Sequence, residues 1–352
     1  MAYTTIDKFT DYFNTVLYTG NTTDDRTISG VGFQPDWNWT KNRSHAQHHW
    51  VADAVRGSSK MIRPDATNAE IDAPSQGSIA SFNADGYVLQ AGTSGDENYN
   101  YENKNYVSWN WKAGTTSGLS GGTITPSAYS INSTAGFGIY KYSGNGYAGA
   151  TIAHGLGAKP HLIIVKILNT TDNWCCYHRS LGATKRFELN NATTPTTSTT
   201  LWNDTEPTST LFSLGTNGQV NGSGNTYVAY VFTEKVGYSK MGSYIGNSDS
   251  NHAPFIYTGF KPTFVFLKNT TNGNRGVMYD YKRLGYNPNN YSLGADVNLA
   301  EETASWTLID MYSNGFRPKS NDGSQNASSN TYIYWAIGQT LVGSNNIPAT
   351  AR

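Results

Sequence analysis

Three histidines within five residues, His45, His48 and His49, have the i, i+3, i+4 spacing at which imidazoles on one helical face can share a metal ion. Zinc would need a fourth ligand, and no Cys or carboxylate nearby completes a tetrahedral set. The stretch also reads as a loop entering a strand at Trp50–Asp53, so the rings are expected to pack and not to chelate. A second charged constellation recurs. Lys41, Lys166 and Lys268 each stand six residues after a proline, and Asp53, His178 and Asp280 stand eighteen after it. One reading is a charged site in every copy. The other is a lysine that snorkels at a strand end near a carboxylate. The histidine at the middle aspartate position favours the second.

Other chemistries lack their residues. No Glu-x-Asp-x-Glu run, Gly-x-Ser-x-Gly elbow, phosphate loop or dinucleotide fingerprint is present, so no catalytic residue and no cofactor is expected. The loops Asp96-Glu97-Asn98 and Asn321-Asp322-Gly323 could hold Ca²⁺ but lack an ordered ligand pattern, so they read as turns. Cys175 and Cys176 are adjacent. Their side chains would point to opposite faces of a strand, which makes a mutual disulfide strained and two small buried hydrophobes the better reading. The Asn-x-Ser/Thr triplets reflect composition. What remains are aromatics in loop-like stretches, Tyr147, Trp202 and Tyr291, whose apolar faces bordered by hydrogen-bonding groups suit a glycan or a protein. Each could equally cap its own sandwich.

The elements that must position these groups are strands. Charged residues make up 14% of the 352, with 25 Lys+Arg against 25 Asp+Glu, and aromatics reach 13%. With no net charge and no basic run a nucleic-acid partner is not expected. No apolar stretch is long enough for a helix to span a bilayer, so membrane insertion is not expected either. The first twenty residues show no basic start followed by an apolar core, so export by a signal peptide is not expected. Abundant Asn, Ser, Thr, Gly and Tyr fit an all-β chain with polar loops.

A repeat organises it. Gly32-Phe33-Gln34-Pro35, Gly157-Ala158-Lys159-Pro160 and Gly259-Phe260-Lys261-Pro262 share Gly-x-x-Pro. Each copy opens on Tyr-x-Gly-Asn (Tyr18, Tyr142, Tyr244) and nears its end on Asn-x5-Tyr (Asn100/Tyr106, Asn221/Tyr227, Asn326/Tyr332), with proline-to-tyrosine separations of 71, 67 and 70. The expected organisation is three tandem β-sandwich (jelly-roll or lectin-like) units. They occupy 1–113, 135–236 and 237–342, with a Gly/Ser/Thr-rich linker at 114–134 and a polar tail at 343–352. Strands are expected at Trp174–His178, Phe187–Leu189, Leu211–Leu214, Val277–Tyr281 and Trp306–Asp310. The alternation of Trp37 and Trp39 with Asn38 and Thr40 predicts that the first unit leaves one sheet face in solvent or against a polar subunit.

The stretch Gly136-Phe137-Gly138-Ile139-Tyr140-Lys141-Tyr142-Ser143-Gly144-Asn145-Gly146, followed by His154-Gly155-Leu156-Gly157-Ala158-Lys159-Pro160, resembles a repeat in virion proteins of marine tailed bacteriophages. So do Gly237-Tyr238-Ser239-Lys240 with Gly259-Phe260-Lys261-Pro262, and the ending Ile347-Pro348-Ala349-Thr350-Ala351-Arg352. The resemblance covers nearly the whole chain. It implies a structural or tail-fibre-like virion protein with a lectin-like sandwich and brings no catalytic residues. The leading expectation is a fibre or adhesin component contacting the host surface; the alternative is a head decoration or tail-attached subunit, and the minor alternative a surface-polysaccharide depolymerase. The expected partners are other virion proteins and a host-surface glycan or protein, and a homo-oligomer (trimer) is left open. The implied location is the virion, assembled in the host cytoplasm and released by lysis.

Overall fold

The computed structural model describes residues 4–94, 98–303 and 308–342. Asp96 and Glu97 of one candidate Ca²⁺ loop, Trp306 of one expected strand and the tail 343–352 lie outside them. Regular structure is almost entirely antiparallel strand. One four-residue helix, Gly218–Asn221, is capped by Asn217, whose side chain accepts from the Gln219 N–H.

Three large sheets repeat one strand order: opening strand, closing strand, middle strand, fourth strand. In the first these are Phe13–Thr19, Asn105–Trp111, Trp37–Asn42 and Trp50–Asp53. In the second they are Phe137–Ser143, Thr226–Phe232, Leu162–Ile167 and Cys175–His178. In the third they are Ser239–Ile245, Thr331–Thr340, Phe260–Asn269 and Val277–Asp280. Each large sheet is covered on one face by a small sheet of two or three strands, giving a sandwich with its own apolar layer.

The repeated sequence landmarks build one corner three times. Tyr18 stacks on Tyr106, Tyr142 on Tyr227 and Tyr244 on Tyr332, with ring centroids 5.0–5.1 Å apart. The first tyrosine of each pair donates to a loop carbonyl, of Tyr99, Val220 and Gln325. The second accepts a loop N–H, from Tyr101, Gly222 and Ala327. The loop asparagines Asn100, Asn221 and Asn326 accept from the N–H groups of Asn21, Asn145 and Asn247. Gly20, Gly144 and Gly246 let the two loops touch, because a Cβ there would collide with the carbonyl oxygens of Tyr101, Gly222 and Ala327. Tyr-x-Gly-Asn and Asn-x5-Tyr are therefore the two halves of one clamp.

The second faces of the three large sheets point at one another and share a single core. Trp37 lies 4.3 Å from Trp111, 4.6 Å from Tyr230 and 6.4 Å from Trp335 between ring centroids, and Phe232 lies 4.6 Å from Trp335. Units that follow one another in sequence are thus closed on one another in space. Burying several tryptophans at one meeting point removes more apolar surface per residue than any other side chain could.

The alternation in the first middle strand has a different outcome from the expected one. Asn38 and Thr40 are as buried as the tryptophans beside them. Their face lies inside the first sandwich, where Asn38 Nδ2 donates to Asn110 Oδ1 at 2.8 Å and Thr40 Oγ1 donates to Asn38 Oδ1 at 2.8 Å. A polar face buries at low cost when its groups satisfy one another, so alternation alone does not distinguish solvent from a hydrogen-bonded interior. Within 114–134, Ala128–Asn132 is a strand on the edge of the second sheet, because Ile131 and Tyr129 fill a rim of that sandwich's core.

Candidate functional site

The repeated Asp/His position is where each sheet meets the next. Asp53 Oδ2 accepts from the Tyr230 hydroxyl at 2.6 Å, tying the first sheet to the second. Asp280 Oδ2 accepts from Trp109 Nε1 at 3.0 Å, tying the third to the first. His178 Nε2 lies 3.2 Å from the Tyr334 carbonyl, tying the second to the third. The contacts run in a circle. Tyr230 and Trp109 occupy the same position of their closing strands, each three residues after the clamp tyrosine, Tyr227 and Tyr106.

Each aspartate also holds an arginine. Arg56 Nε donates to Asp53 at 2.5 Å and Arg283 Nε to Asp280 at 2.6 Å, with all four side chains sealed from solvent. The two arginines reach on to Glu70 and Glu301. Those glutamates bridge sheets themselves: Glu70 N–H donates to the Leu168 carbonyl and Glu301 N–H to that of Arg43, whose guanidinium pairs with Glu301 at 2.7 Å. Burial works against the Arg56 charge, and Asp53 beside it more than restores it, so the guanidinium is held firmly protonated. Sealed, fully paired ions of this kind fix geometry and offer no group to a substrate.

The three lysines do not snorkel. All are buried. Lys166 Nζ donates to the carbonyls of Thr67 in the first unit and Asp172 in its own, at 3.1 and 3.0 Å. Lys268 Nζ donates to the Asn191 carbonyl in the second unit and lies 3.3 Å from Asp296 Oδ2. Lys41 Nζ donates to the carbonyls of Asn42 and His45. Burial lowers the Lys41 and Lys166 ammonium groups to about 8, opposed by nearby carboxylates. A lysine suits each place because the loop carbonyls, those of a neighbouring unit at Lys166 and Lys268 and of its own loop at Lys41, need several donors on one flexible stem.

The histidine triplet does lie in a loop before Trp50–Asp53. His48 Nδ1 lies 2.9 Å from Asp65 Oδ2, and His49 Nδ1 accepts from Trp39 Nε1 at 3.0 Å. Burial depresses His49 to about 3, so it is a neutral packing ring. Among the described residues no three His, Cys, Asp or Glu side chains come together as a metal site. Cys175 and Cys176 are free and buried, one in the second sandwich and one in the shared core, and burial pushes the Cys175 thiol up to about 12.

The three surface aromatics separate. Tyr147 is 74% exposed. Trp202 is buried, with its ring edge-on to Tyr177 at 6.1 Å, and so caps its own sandwich; the ligand-binding expectation for it is withdrawn. Tyr291 is half-buried, with the Arg43 guanidinium 5.9 Å from its ring centre, so that face is already taken.

Among the described residues, two open hollows lie at sheet junctions. One of about 520 Å³ is lined by Gln34, Asp36, Lys112, Thr116 and Tyr129 among others. The other, of about 390 Å³, is lined by His161, Glu234, Lys235, Lys240 and Tyr257 among others. Asp36 and His161 are equivalent: each follows the proline that begins its middle strand, and each accepts an N–H just past its closing strand. Ala113 N–H donates to Asp36 Oδ2 at 2.7 Å and Glu234 N–H to His161 Nδ1 at 3.0 Å. Burial raises the Asp36 carboxyl despite those bonds. Sequence reasoning passed over this position, although an acceptor directly after Gly-x-x-Pro was its signal.

A family model covers residues 8–340, the whole of this closed arrangement. The chain belongs to the DUF7483 family, a domain of unknown function. The DUF7483 match begins before the first opening strand and ends with the third closing strand, so all three sheets fall within one family domain. No curated protein and no solved structure matches the chain.

Proposed function

We propose that this DUF7483 chain is an external structural protein of a bacteriophage virion, a fibre or adhesin component that contacts the host surface. The reading rests on the phage-like repeat, whose landmarks are spent on framework: clamps, junction lysines and sealed ion pairs. The observation that carries it is the circle of contacts Asp53–Tyr230, His178–Tyr334 and Asp280–Trp109, which makes one rigid block and leaves recognition to loops. Exposed Tyr147 and the hollow beside Asp36, with amide, hydroxyl, ammonium and aromatic groups, offer the chemistry that suits a sugar or a polar protein loop.

The same circle favours a second reading, a head decoration or tail-attached subunit without receptor binding. One chain with three like sheets in a ring imitates a trimer and matches a three-fold or pseudo-three-fold site on a particle. Gold-labelled antibody on intact virions separates the two. Label confined to the tail, with purified protein blocking adsorption, supports the adhesin; label spread over the head supports decoration. Absence from the particle overturns both.

A further inference from the structure

The stretch 114–134 is a strap over the second sandwich, and among the described residues the third sandwich has no counterpart. Ala128–Asn132 pairs antiparallel with the opening strand Phe137–Ser143 and turns that edge into an interior. Further up the strap, the N–H groups of Thr123 and Ile124 donate to the Thr151 carbonyl, which covers the edge of the small sheet. Ile131 and Ile124 enter the sandwich core, and Ser130 Oγ donates to Asp36 Oδ1 at the junction hollow.

Among the described residues, the third large sheet ends on Ser239–Ile245 with no strand beyond it. Met241 N–H points off this free side, because it donates to Glu234 Oε1 at 2.8 Å. In an antiparallel ladder alternate residues face the same way, so the main-chain groups of Ser243 and Ile245 also face outward. Both residues are exposed, Ile245 at 64%. The 390 Å³ hollow opens beside this edge, and Tyr257, on the uncovered strand of the small sheet, is 52% exposed at its rim. At its base His161 stands where Asp36 meets Ser130. Its Nδ1 accepts from the Glu234 N–H, so Nε2 carries the proton and faces Glu234 Oε2 at 3.9 Å, becoming a donor for an occupant once that carboxylate moves.

We propose that the edge Ser239–Ile245 with its hollow is an acceptor site for an extended, uncharged strand from a partner polypeptide. The occupant alternates apolar side chains, which cover the sandwich rim, with Ser or Thr, which meet His161, as Ala128–Asn132 does at the equivalent place. Main-chain bonds to Ser243 and Ile245 supply affinity and the alternation supplies register. Glu234, whose other oxygen pairs with Arg179 at 2.9 Å, is the group on the Met241 N–H that the strand displaces. This goes beyond the virion reading and does not depend on it.

The test uses the full chain and a fluorescent peptide of residues 122–134, whose pattern is that of the strap. Saturable one-to-one binding is expected, with slowed hydrogen exchange over 239–245. Ser243→Pro removes an outward N–H on an exposed edge and is expected to weaken binding at least about ten-fold. Ile245→Lys keeps the main chain but charges the apolar rim and is expected to weaken it too. Protection at Phe137–Ser143 in place of 239–245 would show strap exchange and overturn the proposal. So would unchanged affinity in Ser243→Pro, or no binding up to about 1 mM peptide.

Discussion

The Tyr230 hydroxyl donates to Asp53 Oδ2 at 2.6 Å, and the Arg56 guanidinium holds the same oxygen from the other side. A carboxylate of the first sheet is therefore shared between its own turn and the closing strand of the second. Tyr230→Phe removes the donor without opening a cavity and leaves a sealed carboxylate one bond short. A destabilisation of about 1.5–3 kcal/mol is expected, read as a lower denaturant midpoint with unchanged slope. A change under about 0.5 kcal/mol would mean that Arg56 alone satisfies Asp53.

Asp53→Ala goes further, because it strands the buried Arg56 with Glu70 as its remaining anion. The expected loss is about 3–5 kcal/mol, larger than that of Tyr230→Phe. The order of the two variants, measured by chemical denaturation, is the check.

The clamp glycines have no room for a side chain. Gly144→Ala would drive a methyl group into the Gly222 carbonyl and part Tyr142 from Tyr227. About 1–3 kcal/mol of destabilisation is expected, with little effect from alanine at Gly218, where a Cβ meets nothing. Equal effects at the two sites would show that the clamp is not closed.

Acid acts on the buried histidines. Burial is the chief cause that lowers His178 from 6.5 to about 4 and His49 to about 3. Below 6.5 the unfolded chain takes up protons that the folded chain refuses. Stability therefore falls as pH drops from about 6.5 towards about 4 for His178 and about 3 for His49, while above that window neither group adds pH dependence. The slope is about 1.4 kcal/mol per pH unit for each ring. Urea midpoints at pH 7 and pH 5 measure it, and His178→Gln is expected to shrink the difference. An unchanged difference in that variant would place the acid sensitivity elsewhere.

Closure of the ring predicts that its parts do not stand alone. A chain cut after residue 236 loses Trp335 and exposes Trp37, Trp111 and Phe232, a contiguous aromatic patch. Dye binding and aggregation are expected in place of a cooperative transition. A monomeric fragment with a sharp melt would argue for independent sandwiches.

Much of this molecule was written in local pattern. Strand after Gly-x-x-Pro, clamp tyrosines at fixed separations, adjacent cysteines on opposite faces and a loop at the histidine triplet all follow from backbone geometry, which acts over a few residues. The strands at Leu211–Leu214 and Val277–Asp280 were legible for the same reason. What the pattern could not express was partnership. Asn38 and Thr40 look like a wet face until Asn110 is found opposite, and Trp202 looks like a loop anchor until Tyr177 is found beneath it. Lys166 looks like a surface lysine until the Thr67 carbonyl, 99 residues away, is found at its tip. The all-β character and the recurring unit were determined by sequence alone, because hydrophobic period and turn chemistry are local. That the sheets close into a ring, and that the repeated charges fasten it, was decided by the tertiary structure, because a buried charge or amide takes its meaning from the group that satisfies it.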